Sequence, residues 1–278
     1  MFGIKQCVYS AAVPVLSGLP RHRPIRQLLI DDKVDTTLVT GYIPLQANGL
    51  YRSRDNYREL GQRLLNVGLP TMAFVDPDVQ LVANHAATLH PSVLESCWLI
   101  NQARFAKLPP TDNPGKDTAE FLAVQLQKSH WVAAASILCP SSTFIWLDFG
   151  ILHVPGAEPH LVREFYERVV NANITKITMA SIWPNLMRNT VWRNLPSWYF
   201  AGGAFIVPRD LCLWFANEVE RQMLKIISET GSLTWEINVW AEIAQQNPDK
   251  FATWPCDHDA TMFTGFVGAS ECATLSRS

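Results

Sequence analysis

Apolar and polar positions divide the chain into short continuous hydrophobic runs and longer amphipathic ones. Thr36 to Ile43 is β-branched and aromatic, which predicts a strand. Arg52 to Asn66 places Tyr57, Leu60, Leu64 and Leu65 on one helical face, and Gly68 suits its stop. Thr71 to Val75 is a second buried strand, closed by the turn residues Asp76-Pro77-Asp78. Strand, helix and strand in that order make a β-α-β unit, the building block of a parallel sheet.

The same reading continues along the chain. Glu95 to Phe105 is expected to be a strand, from its consecutive apolar residues Cys97 to Ile100. Lys116 to Ile137 is a long helix after a loop rich in proline. Phe144-Ile145-Trp146-Leu147 runs straight into Asp148-Phe149-Gly150-Ile151, and uninterrupted apolarity of this length fits a strand buried on both faces. Pro159 to Asn171 reads as a helix and Lys176 to Ile182 as a strand. Tyr199 to Val207 is apolar around the pair Gly202-Gly203. Arg209 to Gly231 reads as a helix, Thr234 to Gln246 as another capped by Thr234, and Phe251 to Trp254 as a last strand. Residues 1–34, with Pro14, Pro20 and Pro24, form an irregular extension, and the tail over 269–278 is expected to fray. The fold class is therefore α/β, with one domain over residues 35–268 built on a mostly parallel open sheet flanked by helices.

Composition narrows the partners. Among 278 residues, 48% are hydrophobic and 17% charged, enough for a core. The formal net charge is −2 and no basic stripe stands out, which argues against nucleic acid. No run of about 18 apolar residues suggests a transmembrane segment. Peripheral membrane contact stays open, although no basic amphipathic helix announces it. The apolar stretch after Lys5 is broken by Pro14, so a signal peptide is not expected. The six scattered cysteines form no C-x-x-C pair; Cys97, Cys139 and Cys212 read as small core residues, and a reducing, cytoplasmic setting is expected.

Chemistry concentrates at Asp148. Ligands of open α/β sheets bind beyond the carboxyl ends of strands, and a carboxylate leaving a buried strand needs a partner. A divalent metal, a ribose hydroxyl or an arginine would serve, as would a turn capped with Gly150. Asp148-Phe149-Gly150 is not the kinase metal triplet, because no H-R-D loop and no G-x-G-x-x-G loop precede it. P-loop and G-x-S-x-G patterns are also absent.

Thr37 to Tyr42, then Tyr57, then Ala73-Phe74-Val75-Asp76, then Phe144 to Ile151 resemble, in that order, the HtrL/YibB-like family. That family looks like glycosyltransferases of the GT-A type, with a Rossmann-like sheet. The resemblance implies an enzyme that moves a sugar from a nucleotide-sugar donor to a glycan or other hydroxyl acceptor. It implies metal binding, by Mn²⁺ or Mg²⁺, with Asp148 as the acidic motif and His258 of Asp257-His258-Asp259 as a further ligand. Gly150 stands where a second carboxylate is common. Thr40, Gly41 and Tyr42 would face the nucleotide, Asp76 the ribose or base, and Gly202 and Gly203 the donor sugar. Glu236 would be the catalytic base, although Trp235 replaces the acid usually beside it. Glu236 also suits the first turn of a helix on dipole grounds alone, and the glycines suit close packing. Trp183, Trp192 and Trp198 bracket a loop whose asparagines and arginines suit a sugar phosphate, while core packing is tryptophan's usual role. Two other readings remain: a non-catalytic carbohydrate- or nucleotide-binding protein on the same fold, and a metal-dependent phosphohydrolase using Asp148.

Overall fold

A computed structural model describes residues 35–45, 53–109, 111, 115–183 and 193–275. Residues 1–34, expected to form an irregular extension, lie outside the described residues. The first strand, β1, is Thr36–Tyr42, and the helix α1 is Arg54–Leu65. Ser53 caps α1 by accepting from the Asn56 amide. The second strand, β2, is Thr71–Val75 and lies parallel to β1, so the β-α-β unit is present.

The next strand, β3 (Ala87–Pro91), has no counterpart among the expected elements. Its residues are only partly buried and it pairs with β2 alone, so its own sequence carries little strand signal. The strand expected over Glu95 to Phe105 is corrected. A 3-10 turn at Leu94–Ser96 and the short helix α2 (Ile100–Ala103) stand there. Cys97, Leu99, Ile100 and Ala103 are buried at irregular spacing, which satisfies a coiled segment as well as a strand.

Helix α3 is Ala119–Leu138, capped by Thr118, whose hydroxyl accepts from the Phe121 amide. Strand β4 is Thr143–Leu147 and helix α4 is Pro159–Val170. Strands β5 (Ile177–Ser181) and β6 (Phe200–Pro208) follow. Helix α5 (Arg209–Thr230) ends at Gly231, which adopts φ of 68°. Helix α6 is Glu236–Gln246, and Trp235, not Thr234, is its N-cap. The Thr234 hydroxyl instead accepts from the Asn238 side chain. Strand β7 is Phe251–Pro255 and α7 is Thr261–Thr264. The tail expected to fray carries a 3-10 turn at Ala269–Glu271 and the two-residue strand β8 (Ala273–Thr274), paired with β7.

One eight-stranded open sheet results, in the order β3-β2-β1-β4-β6-β5-β7-β8. It is mostly parallel; β6 runs against both of its neighbours. The fold is an open α/β sheet flanked by helices. Successive residues of each strand point to opposite faces. Leu38, Ile145, Leu147 and Ile206 pack with α1, α4 and α7 through Leu60, Phe165 and Phe263. Trp146 and Phe205 face the other side. There the Trp146 ring stacks with Trp131 of α3 at an interplanar angle of 10°, and with Phe205 at 16°. Trp240 of α6 closes that series edge-on to Phe205. Among the described residues no helix is long and apolar enough to cross a membrane.

The chain direction creates a switch point. From β1 it steps to β2 and β3 on one side, then returns to place β4 on the other. The connections out of β1 and out of β4 thus lead in opposite directions along the sheet, opening a crevice beyond the parallel C-terminal ends of these strands. Asp148 follows β4 at that crevice. Directly behind it, Phe149 packs into the space above Gly61 of α1, where an added Cβ would fall 1.9 Å from its ring. Gly61→Ala is therefore expected to lower stability by about 1–3 kcal/mol, seen as a lower urea midpoint with an unchanged slope.

Candidate functional site

Four expected residues come together. Asp148 is half-buried, and its backbone amide donates to the Gly203 carbonyl at 2.9 Å, a contact that continues the β4–β6 ladder. Its Oδ1 accepts the indole N–H of Trp146 at 2.8 Å. Lys128 of α3 donates to the same oxygen at 3.0 Å, to Glu236 Oε1 at 3.1 Å and to the Gly202 carbonyl at 3.0 Å. All three protons of the ammonium are thereby used. Lys128 also stands 6.0 Å from the centre of the Trp240 ring, within cation-π range.

Lys128 is 3% exposed and Glu236 is also buried. Burial works to strip the proton from Lys128, but the Asp148 and Glu236 carboxylates outweigh it and raise the ammonium's pKa. The group of three carries a net charge of −1 if both acids are ionised. Oε2 of Glu236 is buried without a hydrogen-bond partner among the described residues. An unpaired carboxylate oxygen in such a place is costly unless a ligand donates to it.

The glycines have defined reasons. A Cβ on Gly202 would lie 2.5 Å from Glu236 Oε1, so only glycine lets that carboxylate sit against the strand. A Cβ on Gly203 would meet Ile151 at 2.9 Å and come within 3.8 Å of Asp148 Oδ2. Gly150 is covered by Tyr57, whose ring would be 2.8 Å from an added Cβ.

The expected nucleotide contacts are more dispersed. Thr40 is fully buried, with its hydroxyl unpartnered among the described residues, and so does not reach the crevice. Gly41 is half-buried, and the Trp131 ring occupies the direction of its missing side chain at 2.5 Å. Tyr42 stacks on Phe149 at 5.0 Å and on Tyr57 at 5.7 Å. Burial, with help from Tyr57, pushes its phenol up to about 12, so it stays neutral. Asp76 accepts the Asp78 amide at 2.9 Å, forming the turn that its sequence also suggests. It lines a cavity of about 570 Å³ with Ile43, Pro44, Arg54, Val93 and Glu95, at the C-terminal ends of β1 and β2. A larger cavity, about 920 Å³, lies by the C-terminal end of α4 and the first residues of β5, at the other edge of the sheet. Size alone does not connect it with Asp148.

His258 is exposed and sits edge-on to Trp198, their ring centres 4.5 Å apart. Among the described residues no three His, Cys, Asp or Glu side chains gather as metal ligands. Asp148 Oδ1 is already held by an ammonium and an indole, and no side chain fits at Gly150. A divalent ion on Asp148 would sit beside the fixed Lys128 ammonium and be repelled by it. The donor set does not fit such an ion. In the aromatic loop, Trp192, Asn185, Arg188 and Asn189 lie outside the described residues. Arg193 is held by Glu242 at 2.8 Å and Glu229 at 3.0 Å, so its charge is spent on packing the loop to α5 and α6.

Sequence reasoning missed Lys128. Its signal was present: Val124, Trp131 and Val132 lie four before, three after and four after it, on what is otherwise an apolar helical face.

The chain matches no family model and no curated protein. Among solved structures it is similar to mouse xyloside xylosyltransferase 1 in its apo form, at 11% sequence identity and a TM-score of 0.43, covering 78% of this chain and 84% of that one.

Lys128→Met leaves two carboxylates without their shared cation and is expected to cost about 3–5 kcal/mol. A raised lysine pKa contributes its full stability below the unfolded value of about 10.4 and loses it only as pH climbs toward the folded value. The wild-type minus mutant difference, from urea unfolding, should therefore stay flat between about pH 7 and 9.

Proposed function

We propose that the chain transfers a sugar from a nucleotide-sugar donor to a hydroxyl of a glycan or related acceptor, as a member of the HtrL/YibB-like group. The observation that carries this reading is the meeting of Asp148, Glu236 and the Gly202-Gly203 pair around one ammonium, at the switch point of an open α/β sheet.

The parts take these roles. The nucleoside occupies the cavity beyond β1 and β2, with Asp76 on the ribose or base and Tyr42 at its border. The sugar lies by the half-buried Gly202-Gly203 backbone at the entry of β6. Asp148 orients the donor through Oδ2. Glu236 Oε2 accepts the proton of the acceptor hydroxyl. The acceptor oxygen then bonds to the anomeric carbon. The bond from that carbon to the phosphate oxygen breaks, and its electron pair leaves with the nucleoside diphosphate. The five described cysteines are unpaired, which suits a reducing compartment such as the cytoplasm.

Thermal unfolding across a panel of nucleoside diphosphates and sugar nucleotides tests the reading. One nucleotide at about 100 times its Kd should stabilise the wild type by about 2.7 kcal/mol, a rise of several degrees. Asp148→Asn should abolish the rise for the sugar nucleotide. Gly202→Ala, which displaces Glu236, should reduce kcat/KM for transfer at least about tenfold while nucleoside diphosphate binding persists. A folded wild type that no nucleotide stabilises would sink the assignment.

A further inference from the structure

The geometry points to Lys128 as the resident cation of this site: we propose that the protein binds its donor without a divalent metal, because the ammonium already holds the position on Asp148 that a metal needs. The inference rests on the proposed donor site, but its first measurement needs no nucleotide.

Three observations converge. Lys128 is 3% exposed and its ammonium is anchored at three points, on Asp148, Glu236 and the Gly202 carbonyl. It cannot swing aside for an incoming ion without leaving two carboxylates unneutralised. The place of a second acid is closed as well, because Tyr57 covers Gly150. Finally, the described residues offer no third ligand near Asp148, and His258 packs on Trp198 instead. A hard divalent cation wants six or more oxygen ligands with carboxylates among them. Here it would meet only Asp148 Oδ2 and the buried Glu236 Oε2, with a fixed positive charge beside them.

The arrangement also divides the labour of the charges. Lys128 neutralises Asp148 in advance, so a diphosphate approaching the crevice meets a paired acid and not a bare one. Glu236 shares the same ammonium through Oε1 and keeps Oε2 to accept a hydrogen bond from a hydroxyl. Lys128 is on this account a positioning residue, acting through both acids and touching no reacting atom.

Mn²⁺ alone, titrated into the full chain and followed by the electron paramagnetic resonance of the free ion, gives the first test. Wild type and Asp148→Asn should take up Mn²⁺ indistinguishably. Lys128→Met, with both carboxylates released, should gain a site at least tenfold tighter, and Asp148→Asn added to it should remove that site. Uptake by the wild type that Asp148→Asn weakens tenfold or more would overturn the proposal. That comparison decides the matter even if Lys128→Met does not fold. In calorimetry, the wild type should bind its nucleoside diphosphate in EDTA within about twofold of its affinity in Mn²⁺, and a tenfold or greater loss in EDTA would also overturn the proposal. A wild type that binds no nucleotide in either condition defeats the donor site itself, and the Mn²⁺ titration then decides separately whether Lys128 excludes the metal.

Discussion

A single buried ammonium organises this molecule's chemistry. Lys128 comes from α3, Asp148 from the end of β4, Gly202 from β6 and Glu236 from the start of α6. Four elements that are far apart in sequence meet on one nitrogen. Burying a lone charge is prohibitive, and burying three is tolerable only when each is satisfied by the others. Any shift of one element therefore disturbs the pairing of the rest. The stacked rings of Trp131, Trp146 and Phe205 beneath reinforce this coupling, because Trp146 also spends its indole N–H on Asp148. Core packing and site geometry are thus set by the same residues.

What the sequence disclosed follows from the kind of force involved. Strands β2, β4 and β7 are largely apolar and β1 is rich in β-branched and aromatic residues, so their own composition decides their burial. Helices α4 and α5 are legible for the same reason, with Gly231 marking the end of α5. Strand β3 is different. Ala87–Pro91 becomes a strand because β2 presents an edge to it, and no local pattern announces that. Thr234 does not cap α6 because its hydroxyl has two competing uses. The tertiary one, with Asn238, prevails, and Asn238 also holds the Ser197 amide.

At the site, Asp148 stands out by its position at the end of an apolar strand, whereas Glu236, Gly202 and Gly203 are implied by the family resemblance and not by their own positions. Their common partner could not be named so readily. A lysine within a helix reads by default as part of a solvated face, and only its apolar neighbours one turn away hint otherwise. Thr40 shows the converse limit. The family resemblance sets it facing a nucleotide, whereas its side chain is fully buried. His258 is placed by a surface aromatic contact that sequence spacing does not encode.

Strand β6 is antiparallel to both strands beside it. The glycines at its entry, not its exit, therefore line the crevice with the exit of β4. Residues 193–199 lead into that rim, while the ladder with β4 and β5 fixes the backbone from Phe200 onward. The carbonyl that Lys128 requires is thus held by sheet pairing and not by the segment that precedes it.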